Sequence, residues 1–164
     1  MVAYKYRIPA GIPGATNRNE HLTAEAQVMD PANPVTLYGV PVKIVSGQVR
    51  PVAAADAATV VYGFLIRPYP TTDGNASTPF GGGTPRSDEI ANVMRRGYMT
   101  VKLNGVTAAT KNGGVYVRVA DPTTDTPIGG LEAGADGGDC VLIPGCVFMG
   151  PADAAGNTEI AYNI

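Results

Sequence analysis

Apolar and polar residues alternate in short runs along most of this chain, and glycine- or proline-rich breaks separate the runs. Val40, Val42 and Ile44 alternate with Pro41 and Lys43, and Met99, Val101 and Leu103 with Thr100 and Lys102. Val115, Val117 and Val119 alternate with Tyr116 and Arg118, and Thr158, Ile160, Tyr162 and Ile164 with Glu159, Ala161 and Asn163. A period of two marks a strand with one buried face. The run from Val60 to Ile66 differs, holding seven residues without a charge before Arg67-Pro68. An apolar run of that length, bounded by turn residues, predicts a strand buried on both faces. Cys140 to Ile143 and Cys146 to Met149 predict two short strands around Pro144-Gly145 in a hairpin-like setting. Ser87 as N-cap, Asp88 and Glu89 in the first turn, Arg95 and Arg96 in the last and Gly97 at C′ predict one short helix.

The first 36 residues read differently. Ile8-Pro9, Ile12-Pro13, Asp30-Pro31 and Asn33-Pro34 hold their preceding residues extended and forbid a long helix. Tyr4, Tyr6 and Ile8 nonetheless alternate with Lys5 and Arg7, which fits either a first strand on the domain itself or an arm laid on another surface. The expected organisation is an extended N-terminal arm over 1–36 and a β domain over 37–164. Two long glycine-rich loops, 71–85 and 123–139, interrupt that domain. Counting the runs gives about seven to nine short strands. The fold class expected is mainly β: a single compact β-sandwich or small barrel of short antiparallel strands, with at most one short helix.

Composition sharpens this reading. Gly 21 and Pro 14 make up about a fifth of the 164 residues, against roughly 12% in an average protein, so turns are frequent. Only 16% of residues are charged, where roughly 25% is usual. A free monomer keeps a more charged surface for solubility, so partners are expected to cover part of this one. The net charge of −2 and the lack of any basic cluster beyond Arg95-Arg96 argue against nucleic acid as a partner. No apolar stretch reaches the length of a membrane span, and Met1 to Lys5 lacks the apolar region of a signal peptide, so synthesis in a cytoplasm is expected. In that setting Cys140 and Cys146 are expected as buried thiols, although a bridge across the turn between them is conceivable.

Little in the chain points to catalysis. His21, the single histidine, has no recognisable nucleophile or orienting acid near it in sequence. The carboxylate pairs Asp136 with Asp139 and Asp153 with Glu159 lie in or beside turns, where such residues usually serve the backbone. Asp73-Gly74-Asn75 and Asp153 to Glu159 lack the ligand spacing of a calcium loop. Gly81-Gly82-Gly83 is followed by Thr84-Pro85 and matches no phosphate-binding loop. No enzyme, cofactor or metal site is expected.

Four blocks in order carry a resemblance: Gly63 to Thr71, Gly129-Gly130-Leu131-Glu132-Ala133, Gly150-Pro151-Ala152-Asp153 and Asn157 to Asn163. Arg95 to Met99 and Gly114 to Arg118 add to it. The chain resembles the structural cement proteins that decorate tailed-phage heads. The resemblance implies a homo-oligomer, dimer or trimer, on the outer surface of the virion, bound to the major capsid protein where its subunits meet and bracing the shell. Tyr4, Tyr6 and Ile8 are the expected arm anchors, with Arg67 and Tyr69 as further contacts, since aromatics and arginine dominate interface energetics. A carbohydrate- or receptor-binding β module is the alternative, because long Gly/Asn/Asp loops on a rigid barrel suit ligand capture.

Overall fold

The structure, a computed structural model, describes residues 11–68, 83–87 and 89–164. Those residues form ten strands: β1 Thr16–Asn17, β2 Thr23–Val28, β3 Pro41–Val45, β4 Gln48–Pro51, β5 Gly63–Leu65, β6 Ile90–Lys102, β7 Gly114–Arg118, β8 Leu131–Glu132, β9 Cys140–Phe148 and β10 Asn157–Tyr162. They hydrogen-bond in the order β4-β3-β5-β6-β10-β9-β7-β8, with β1 and β2 also on β6. Neighbouring strands run antiparallel, and the sheet curls into a half-barrel. The mainly β architecture is therefore as the periodicity predicts.

The longest strand, β6, organises the rest. Its first half pairs with β2 and β5, and its second half with β10 and β1. Neighbouring residues on a strand face opposite sides, and β6 uses both. Val93 enters a core with Met29, Val35, Val42, Val49 and Leu65, whereas Met94, Met99 and Val101 enter a larger one around Val117, Phe148 and Ile160. On β5, Phe64 joins the larger core and Leu65 the smaller. Burial on both faces explains the uncharged run. The strand itself is shorter than predicted: Ala58–Val60 forms a 3-10 turn and β5 spans Gly63–Leu65.

Two further expectations are corrected. The segment predicted as a helix is extended from Ile90 onward, as part of β6. A helix there would leave β2, β5 and β10 without partners, and pairing on both edges outweighs the capping signals. Gly97 does not cap a helix. It sits at φ 141° where β6 passes from β2 to β10, and a Cβ there would lie 3.3 Å from both Leu22 Cδ1 and Met94 Sδ. The two cysteines also lie on one continuous strand, β9, and not on the arms of a hairpin. Cys140 pairs with Arg118 of β7 and Cys146 with Tyr162 of β10, while Pro144 and Gly145 stay exposed.

The described part of the first 36 residues is woven into this sheet. Gly14 donates its N–H to the Thr100 carbonyl, Thr100 returns one to Ala15, and β2 lies along β6 from Thr23 to Val28. Tyr4, Tyr6 and Ile8, and residues 71–82 of the predicted 71–85 loop, lie outside the described residues.

Candidate functional site

Of the five residues that sequence singles out as contacts, Arg67 falls among the described residues; Tyr69, like the three arm residues, lies outside them. Arg67 follows β5 directly. Its backbone N–H donates to Gly14 O at 2.8 Å, continuing the strand into the N-terminal segment. Its side chain then holds three stretches of chain. Nε donates to Pro13 O at 2.8 Å, one terminal nitrogen donates to Gly83 O at 3.2 Å, and the guanidinium stacks on the Tyr38 ring at 4.5 Å. Burial lowers the guanidinium pKa from its ordinary value, with the Tyr38 hydroxyl acting the other way. The carbonyl acceptors and the ring face replace the lost water for the charged form.

Close backbone packing makes this arrangement possible. Gly14 and Gly39 both have positive φ, at 87° and 75°. A Cβ on Gly14 would fall 2.6 Å from Tyr38 Cβ, and one on Gly39 would fall 2.6 Å from Gly14 N. Only glycine at both positions lets the Tyr38 loop pass against the N-terminal segment beneath Arg67. Tyr38 Oη donates to Thr84 O at 3.4 Å, which ties the same point to residue 84. Arg67 thus gathers Pro13 and Gly14 of the N-terminal segment, Tyr38 and Gly83 at one point.

Beside this hub lies a cleft of about 420 Å³ between the loop over 34–41 and the loop over 127–131. Its walls are mostly apolar, with Val35, Leu37, Val40, Val52, Ile128 and Leu131 among them, and Pro13, Arg67 and Lys102 also line it. Leu37 is 58% exposed. Lys102 Nζ is held by Ala155 O. None of the lining residues carries a carboxylate.

The charged groups considered for catalysis serve the fold. Asp136 and Asp139 both face Arg118, whose side chain is 2% exposed, with Asp139 at 3.8 Å. Glu132 closes the cluster, its Oε1 2.6 Å from Arg118 Nε. The carbonyls of Ala120 and Asp121 accept from the same guanidinium at 3.2 and 3.0 Å. These partners hold Arg118 charged against burial. Burial, aided by Glu132, pushes the Cys140 thiol up to about 12, and burial raises Cys146 as well. Alternation with Val117 and Val119 made Arg118 look like an outward residue, so sequence alone missed the cluster.

Asp153 accepts the N–H groups of Ala155 and Asn157 at 2.9 Å each, as a turn residue does. Glu159 binds Arg18 at 2.9 Å and Asn17 at 3.2 Å, fastening β1 to β10. His21 is exposed and meets Tyr98 edge to face at 5.9 Å between ring centres. Among the described residues no three His, Cys, Asp or Glu side chains gather as a metal site.

The family model of the structural cement protein (E217 gp24/Pam3 gp6) matches residues 2–163 of this chain. A solved chain from the capsid of Myoviridae phage XM1 is similar in fold, with a TM-score of 0.72 over 98% of this chain and 95% of that one, at 18% identity. No curated protein matches the chain in sequence.

Proposed function

Because this chain belongs to the phage structural cement protein family, and is thereby a capsid-associated structural protein, we propose that it binds the outer surface of the phage head at junctions between major capsid protein subunits and stabilises the shell. The observation that carries this reading is the family match over nearly the whole chain, arm included.

Tyr4, Tyr6 and Ile8 are the proposed anchors, with Tyr69 on the second segment rooted at Arg67. Arg67 acts through position: it fixes where both segments leave the sheet and so where their side chains can reach. Each apolar side chain buried across two capsid subunits contributes about 1.5–3 kcal/mol, and a lattice repeats the contact at every junction. A homo-oligomer engaging several subunits at once would add avidity on the same terms.

Co-sedimentation with undecorated heads tests the reading. Saturation at a fixed number of copies per shell is the expected result, lost when Tyr4 and Tyr6 are both replaced by alanine. Absence of saturable binding would overturn it.

A further inference from the structure

We infer that the cleft between the loops over 34–41 and 127–131 receives an extended segment of a capsid subunit, with an apolar side chain in the groove and a neighbouring carboxylate on Lys102. The inference rests on the capsid-binding reading and specifies a contact within it.

The walls set the first half of that chemistry. Leu37 and Ile128 present apolar surface from the two loops, and Leu37 is more than half exposed. Water held against such a surface is released when an apolar side chain takes its place. Pro13, Pro34, Pro41, Pro51 and Pro127 also line the cleft. Proline has no N–H to offer, and its ring fixes φ. Walls built this way keep their shape before anything binds, which reduces the ordering cost of association. They also recognise a guest by apolar contact more than by backbone donors. At about 420 Å³ the cleft is within the range of roughly 300–1,000 Å³ that proteins use to enclose ligands. It has room for the anchor side chains of a segment and not for a folded domain.

Charge sets the second half. Arg67 and Lys102 are among the lining residues and no carboxylate is, on a chain whose net charge is −2. Lys102 ends β6 and is exposed, and Ala155 O accepts from its Nζ. A carbonyl takes one of the ammonium's three donors and leaves its charge uncancelled. A carboxylate can therefore join Lys102 without displacing Ala155. Beside an apolar wall the attraction exceeds its value in open water, because the local dielectric is lower.

The protein's own surface offers a poor guest. Val106 is fully exposed, but residues 103–110 hold no charge and the flanking ones, Lys102 and Lys111, are both cations. A second copy presenting that tip would set cation against cation. Family membership supplies the other guest, a capsid subunit.

The test uses the full-length protein and undecorated heads. Photo-leucine, a diazirine analogue of nearly the same shape, replaces Leu37 in one variant and Leu142 in another. Leu142 is 48% exposed on β9 and lies outside the cleft. On irradiation with heads, position 37 is expected to give a covalent adduct with the major capsid protein, in excess of position 142. Lys102→Glu is expected to raise the half-saturating concentration at least about tenfold over Lys111→Glu, which makes the same change of charge at an exposed lysine away from the cleft. Lys102→Arg is expected to bind as the parent does. Saturation without an adduct at position 37, equal adducts at both positions, an adduct with a second copy, or equal loss in the two glutamate variants overturns the inference and leaves capsid binding standing. No saturable binding by the parent overturns both.

Discussion

Arg118 and Glu132 face each other across the β7–β8 end of the sheet, with Nε 2.6 Å from Oε1 and side chains 2% and 7% exposed. Two charges so withdrawn from water hold only as a pair, and removing one strands the other. Loss of one partner of a buried pair costs about 3–5 kcal/mol. Asp136 and Asp139 remain near Arg118 and soften that loss. Glu132→Ala is expected at the lower end, about 3 kcal/mol, read as a lowered urea midpoint. Replacing both, as Arg118→Met with Glu132→Leu, is expected to destabilise less than Glu132→Ala alone. A double variant at least as unstable as the single one would refute the stranded-charge account.

Gly14 and Gly39 give a backbone prediction. Alanine at Gly14 meets Tyr38 Cβ at 2.6 Å and must hold φ at 87°. Alanine where φ is positive destabilises by more than about 1 kcal/mol, and here a clash adds to it. Gly47 also has positive φ, at 78°, with nothing within 4 Å of its Cβ position. Thermal unfolding should therefore rank Gly14→Ala well below Gly47→Ala. Equal melting temperatures would show that the Tyr38 loop can move aside.

Much of the architecture was legible because its cause is local. Val115, Val117, Ile160 and Tyr162 are buried on the faces that alternation assigns. The uncharged run before Arg67 marks the place where β5 serves two cores. What sequence concealed depends on partners far along the chain. Ser87, Arg95, Arg96 and Gly97 carry the marks of a capped helix, yet β6 forms because β2 and β10 come to it from opposite ends of the sequence. Arg118 sits in a strand pattern with an apparently solvent-facing register, and only the fold brings Glu132 and Asp136 to it. The Arg67 hub was half visible: its residue was identified, but its carbonyl partners Pro13 and Gly83 have no sequence signature.

The Arg67 hub can be tested without a capsid. Arg67→Met keeps the aliphatic stem and removes the donors to Pro13 and Gly83. Each such charged hydrogen bond contributes about 1.5–3 kcal/mol, discounted here because the site is only partly buried. Hydrogen exchange is expected to quicken at Gly14 and Ala15 with little change at Val117 or Ile160. Uniform quickening, or none, would deny Arg67 its local role.

Acid stability follows from Asp30, which is 3% exposed. The Asn33 side-chain amide donates to it at 3.1 Å and the Ala32 N–H at 2.8 Å, and Arg50 lies 2.5 Å away. These partners, Asn33 foremost, outweigh burial and lower its pKa from 3.8. A carboxyl whose folded pKa is depressed stabilises the fold fully above its unfolded pKa. That contribution disappears as pH falls through the folded value. The loss thus occurs below about pH 4. Asn33→Ala removes the largest lowering influence and brings the folded pKa back toward 3.8. Its contribution to stability is then lost at a higher pH, so an acid titration followed by circular dichroism should show the variant unfolding before the parent protein. Coincident acid midpoints would mean that Arg50 and Ala32 alone set the state of Asp30.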